Sequence, residues 1–134
     1  MKLKASEVFA AYLTLNAIVS EKRALPQAGK FLIGRAFRQL RPDFTEISEE
    51  RDALIAEFGE DEMAESPDGA APTGKKLVKP NSPNAAKFAA AWKVIADREL
   101  EVAVEPVPLD TLGSEGTIEA HEFDALGDLV VATK

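Results

Sequence analysis

The sequence predicts a mainly α-helical fold of the α+β class: an antiparallel helical hairpin with one long helix, a third packing helix, a small antiparallel sheet and a short C-terminal helix. Three observations carry that expectation. Ile33, Phe37, Leu40, Phe44, Ile47, Arg51, Leu54 and Phe58 are spaced 4, 3, 4, 3, 4, 3 and 4 apart, which holds one face of a helix toward a partner over several turns, with Arg51 its one polar member. A shorter stripe of the same kind lies near the N-terminus. Leu100, Val102 and Val104 alternate with Glu101, Ala103 and Glu105, the pattern of a half-buried strand.

Met1-Lys-Leu-Lys4 alternates polar and apolar residues and suits a short strand. Ser6 is an N-cap for the first helix, with Glu7 in the first turn where the positive end of the helix dipole favours it. Val8, Tyr12, Leu15 and Val19 form its stripe, widened by Phe9, Leu13 and Ala17. The helix ends near Lys22-Arg23, and the short link to Pro26 forces the second helix back antiparallel.

That second helix runs from about Pro26 to Phe58, with proline at its start and Gly59 at its stop. Its length exceeds that of the first by about 16 residues, an overhang of roughly 24 Å. Something else must therefore cover Phe44, Ile47, Leu54, Ile55 and Phe58. Pro42 lies off the seam, where it kinks the helix or divides it into two collinear pieces.

Residues 59–82 read as an acidic and then Pro/Gly-rich loop, in which Lys75 to Lys79 forms a short strand. Ser82-Pro83 starts a third helix, about Pro83 to Arg98, whose Ala85, Phe88, Trp92 and Ile95 share a face and cover the overhang with Trp92 as the largest anchor. The strand at 100–104 ends at Pro106 and Pro108, and pairs antiparallel with Lys75–Lys79 and with Lys2–Lys4. Thr117 caps a final short helix carrying Phe123, Leu126 and Val130.

At 134 residues, with 46% apolar and 29% charged residues, the chain is a single globular domain, 1–134, able to bury about two-thirds of its unfolded surface. It has no cysteine, which excludes disulfides, thiolate nucleophiles and cysteine-rich zinc sites. No apolar run approaches the ~20 residues of a membrane span, and Met1 to Ala5 lead into an amphipathic helix and not a signal-peptide core. The expected location is the cytoplasm, the host's if the chain is phage-encoded, or a virion.

The net charge of −7 conceals four blocks. Residues 1–41 carry +6, residues 42–68 carry −10, residues 69–98 carry +5 and residues 99–134 carry −8. Opposite blocks that lie side by side neutralise one another; blocks that do not leave a polar field for a partner.

The sequence carries little recognisable chemistry. His121, the single histidine, lies in Glu119-Ala-His-Glu-Phe-Asp124, where helix neighbours one residue apart point in different directions, so neither a metal site nor a base is expected. The acidic run Glu57 to Asp68 lacks the alternating ligands and central glycine of a calcium loop, and Glu49, Glu50 and Asp52 lie on the exposed side of the long helix. Ala71-Pro-Thr-Gly-Lys-Lys76 lacks the first glycine and the final hydroxyl of a phosphate-binding P-loop. No cofactor or metal is expected, and the chain reads as a non-enzyme. An enzyme would need a deep pocket that gathers two or more carboxylates near His121.

Two binding readings follow from charge. The acidic block offers Asp43, Glu46, Glu50, Glu57, Glu60 and Asp61 to a basic groove on a protein partner, imitating the charge of nucleic acid. Alternatively Lys22, Arg23, Lys30, Arg35, Arg38 and Arg41, around the hairpin tip, grip nucleic-acid phosphates, although no aromatic residue is interleaved for base stacking. The seam can be satisfied within the chain or between two copies, so a homo-oligomer is compatible with it.

The order of the pieces resembles that of a group of small tailed-phage and prophage proteins. The resemblance spans nearly the whole chain: the Met1-Lys-Leu-Lys opening, a helical hairpin, Arg51-Asp-Ala-Leu-Ile-Ala-Glu-Phe-Gly-Glu60 running into an acidic loop, Phe88-Ala-Ala-Ala-Trp92, Glu99-Leu-Glu-Val-Ala-Val104 and Pro108-Leu-Asp-Thr-Leu112 before a short helix. The segment Met63 to Pro83 is longer than the group's pattern. What the resemblance implies is a phage-encoded accessory protein without an active site, an inhibitor of a host or defence protein or an assembly component. It carries no functional residues over.

Overall fold

In the computed structural model, which describes residues 1–66, 69–113 and 117–131, the hairpin forms as its apolar spacing requires. Strand β1 (Lys2–Lys4) runs directly into α1 (Ala5–Ser20), and α2 (Gln27–Phe58) returns antiparallel along it. The first helix starts at Ala5 and not after a Ser6 cap, because the strand ladder continues to its end: the Ala5 N–H donates to the Arg98 carbonyl at 2.9 Å. Glu7 in the first turn accepts the Lys4 N–H at 3.0 Å, satisfying a donor at the helix entry.

α1 buries Ala5, Val8, Ala11, Leu15 and Ile18. The buried stripe thus lies one position away from the expected Tyr12 and Val19, and Val19 and Leu13 are exposed. Small side chains explain the rotation. Ala11 and Ala36 are both buried in the central cluster, so alanine is interface here, whereas the apolar-size pattern weights only the larger residues.

α2 is one continuous helix with Pro42 inside it, not two. Its seam faces inward throughout: Ile33, Leu40 and Ile47 are buried, and Phe37, Phe44, Arg51, Leu54 and Phe58 are half-buried. The seam is therefore satisfied within the chain. Five rings knit it to α1 and α3 (Ala85–Ala96): Tyr12 stacks on Phe37 and Phe44, Phe9 stacks on Phe44, and Trp92 meets Phe9 edge-on at 5.7 Å. Arg51 lies over both Phe9 and Trp92, which accounts for a cation in an apolar seam.

The acidic and Pro/Gly-rich stretch is not a loop. It is a β-hairpin of β2 (Glu60–Ser66) and β3 (Gly69–Leu77), with Asp61 opposite Lys76 and Glu60 opposite Leu77. Opposite charges across the ladder favour the pairing. The residues that read as breakers suit this geometry: Gly69 and Gly74 take φ of 108° and 85°, and a register shift falls between Asp61 and Met63. The cations of Lys75–Lys79 thus pair with β2 and do not join the strand near residue 100. Pro67 and Asp68, the end of the acidic block, lie outside the described residues.

α3 begins at Ala85, two residues later than Pro83. The Ser82 hydroxyl accepts the Asn84 N–H at 3.1 Å and its carbonyl accepts the Ala85 N–H, closing a turn before the helix. The following strand is short: β4 (Glu99–Glu101) pairs antiparallel with β1, Leu3 opposite Leu100. Val102 and Val104 are buried and Ala103 and Glu105 exposed, so the alternation persists where the ladder stops; the Gln39 side chain accepts the Glu105 N–H at 3.1 Å in its place.

β5 (Val107–Pro108) then pairs in parallel with β6 (Val130–Val131), a bridge the sequence did not announce. Between them lie a 3-10 turn at Leu109–Leu112, the helix α4 (Ala120–Leu126) and a second 3-10 turn at Gly127–Leu129. α4 starts at Ala120 behind Glu119, with Glu122 accepting the Glu119 N–H, and not behind a Thr117 cap. The first of these turns fixes Gly29 in α2: a Cβ there would lie 1.9 Å from the Thr111 carbonyl oxygen, so only glycine allows the approach.

Candidate functional site

Ion pairs follow the charge blocks. The first block binds the fourth through Arg23–Glu122 and Arg35–Glu105 (3.0 Å), and the second binds the third through Glu50–Arg98 (2.5 Å) and Glu60–Lys79 (3.7 Å). The first and fourth blocks together carry −2, the second and third −5. Most of the surplus negative charge therefore belongs to the distal half of α2 and the β-hairpin.

Four of the six acidic candidates form a ridge there. Asp43, Glu46, Glu50 and Glu57 are spaced 3, 4 and 7 apart and share one face of α2, which leads into Glu60 and Asp61 on β2. Glu50 is neutralised by a two-pronged contact with Arg98, whose guanidinium is held above its ordinary pKa by that hydrogen bond, and Glu60 is partly neutralised by Lys79. Glu46, Glu57 and Asp61 are exposed and make no ion pair among the described residues. Desolvation, and then the charge of Glu46, hold the half-buried Asp43 carboxyl above the usual range.

The basic candidates are less available. Arg23 donates to Glu122, to Glu21 at 2.7 Å and to the Thr117 carbonyl at 3.2 Å, and Glu122 is itself buried. Arg35 is committed to Glu105 and lies over the Phe31 ring, while Arg41 lies over Phe37 at 5.1 Å. Lys22, Lys30 and Arg38 are exposed without an ion pair among the described residues. Phe31, 61% exposed beside these cations, corrects the expectation that no aromatic residue is interleaved among them. Its signal was its position off the seam, between Lys30 and Arg35.

An open cleft of about 730 Å³ lies where α4 meets the end of α1, lined by Glu21, Arg23, Glu119, His121 and Glu122 among others. It gathers carboxylates near His121 but is not deep: His121 and Glu119 are largely exposed, and His121 Nδ1 lies 3.3 Å from Glu119. The hydrogen bond from Arg23, against the desolvation of a buried group, holds the Glu122 carboxyl below its usual range, so it is an ionised acceptor and not a proton donor near neutrality. Glu119, His121 and Glu122 can each place a ligand atom within 4.8 Å of the others. Glu122 already serves Arg23 and the Glu119 N–H, and the guanidinium charge opposes a second cation at the same place.

No helix among the described residues is long and apolar enough to cross a membrane. No protein-family profile, curated protein or solved structure matches the chain.

Proposed function

We propose that the chain is a non-catalytic interaction protein, an accessory factor of the tailed-phage kind, which binds a protein partner through its distal acidic ridge. The observation that carries the reading is the ridge itself: Asp43, Glu46, Glu50 and Glu57 on one helix face, continued by Glu60 and Asp61, in the half of the fold that holds most of the unneutralised charge. Such a surface suits a groove on the partner lined by lysine and arginine, where complementary fields speed encounter and set specificity. The partner would then be a host or defence protein to be inhibited, or a component of an assembly.

The test is affinity capture from the protein's native cells with the wild type and with Glu57→Lys/Glu60→Lys/Asp61→Lys. The expected result is one protein retained by the wild type, released by salt and not retained by the variant. Equal retention by both removes the ridge from the function. A second reading, nucleic-acid binding at the hairpin tip, draws on the exposed Phe31 beside Lys30 and Arg38. It expects steep, salt-dependent retention on DNA that Lys30→Glu/Arg38→Glu abolishes.

A further inference from the structure

α2 has a second seam, on the face turned away from the core. Phe31, Gly34, Arg38, Arg41 and Thr45, spaced 3, 4, 3 and 4 apart, lead to Glu49, Asp52 and Ala56, spaced 3 and 4 apart. All of them are exposed except the half-buried Gly34. The sign of its charge inverts at Pro42, with cations before it and carboxylates after it.

Within one chain this arrangement is unfavourable in three ways. Lys30 near the N-terminus and Glu57 near the C-terminus both oppose the helix dipole, and the helix has no acidic residue in its first turn and no basic residue in its last. Arg38 and Arg41 repel one another at a spacing of 3, as do Glu49 and Asp52. Gly34 weakens a mid-helix position that alanine would strengthen. Unlike Gly29, nothing in the chain demands it: a Cβ there would meet only the Arg38 Nη1 at 3.5 Å.

All three are answered by the same chain turned end for end. We propose that the outward face of α2 docks antiparallel on α2 of a second copy, about a two-fold axis passing between Asp43 and Phe44. The basic half of each helix then lies along the acidic half of the other. Arg38 faces Glu49 of the second copy and Phe31 faces Ala56, each contact occurring twice as two-fold symmetry requires. Gly34 comes level with Ala53, where the absence of a side chain allows close approach. Phe31, exposed in the single chain, is covered by small residues. The apolar seam plays no part, since the core already occupies it. The paired stretch, Phe31 to Ala56, is about 39 Å of helix and only one helix wide, a small interface of weak and transient type. Glu60 and Asp61 remain outside it.

The experiment is sedimentation velocity on the full chain over a concentration series at low and high salt. The wild type is expected to dimerise with concentration, and to lose at least about tenfold in affinity between low and high salt because the contacts are exposed ion pairs. Arg38→Glu and Glu49→Arg each place like charges opposite one another twice, and each should weaken self-association by about tenfold or more. Mixed in equal amounts, the two variants should recover a heterodimer, since each then meets the opposite charge. Both positions are exposed, and circular dichroism checks that the variants fold. A wild type that stays monomeric at low salt and high concentration overturns the proposal, as does a dimer indifferent to Arg38→Glu or a mixture that fails to recover.

Discussion

The two ends of α2 live in different environments. From Gln27 to Ile47 the helix lies among α1, the C-terminal segment and the first 3-10 turn, and Ile33, Ala36, Leu40 and Ile47 are buried. From Ser48 onward through the β-hairpin and α3, Ala96 is the one buried residue among the described side chains, although Leu54, Phe58 and Trp92 are large and half-covered. Ion pairs respect the same division. One lobe is held by a continuous apolar core; the other is held by the Phe9–Trp92 contact with Arg51 over both rings, by half-covered side chains and by ion pairs at the surface, and it carries the acidic ridge. The comparison teaches that one helix can be firmly held at one end and only half-covered at the other, and the half-covered end is the part expected to open locally first.

Substitutions sharpen the contrast. The largest effect should come from Leu40→Ala, which empties a fully buried site and should cost about 3–4 kcal/mol, against about 1 kcal/mol for Leu54→Ala on the half-covered side; chemical denaturation measures both. Equal costs would erase the division. Glu122→Ala should follow at about 1–2 kcal/mol, because it takes from Arg23 the more buried of its two carboxylate partners and from the Glu119 N–H its acceptor.

Glu122 also carries a pH signature. Its folded pKa is depressed, chiefly by the Arg23 hydrogen bond, so its contribution is complete above the ordinary carboxylate pKa of about 4.3 and is lost as pH falls through the lower folded value. Denaturation midpoints measured from pH 7 down to pH 3 should therefore fall less steeply in Glu122→Gln than in the wild type. The smallest effect has the opposite sign. Asp43 has a raised folded pKa, so its charge costs stability at neutral pH, and Asp43→Asn should gain a few tenths of a kcal/mol there and nothing at low pH.

How far the sequence was legible follows the same line. The seam from Ile33 to Phe58 was readable because large side chains at spacings of 3 and 4 leave few alternatives, and the third helix, the Leu100 to Val104 alternation and the final helix were readable on similar grounds. The β-hairpin was not: its strands contain Pro72 and two glycines at positive φ, so local composition spoke for a loop while cross-strand charge pairing decided otherwise. The buried role of Ala11 and Ala36 and the Arg23–Glu122 pair, 99 positions apart in the chain, depend on tertiary proximity that periodicity cannot register. The acidic ridge was visible as a charge run, and its spacing on one face as well, but not the withdrawal of Glu50 by Arg98. Phe31 could have been singled out from its place beside the cations.

Native-state amide hydrogen exchange, resolved by residue, tests the division most directly. Amides of α1 and of α2 between Ile33 and Ile47 should exchange only through global unfolding and share one free energy of opening, while those of β2, β3 and the last turns of α2 should exchange through local opening at a clearly lower one. A single protection level across both lobes would contradict the account, because the distal half would then be as firmly held as the core.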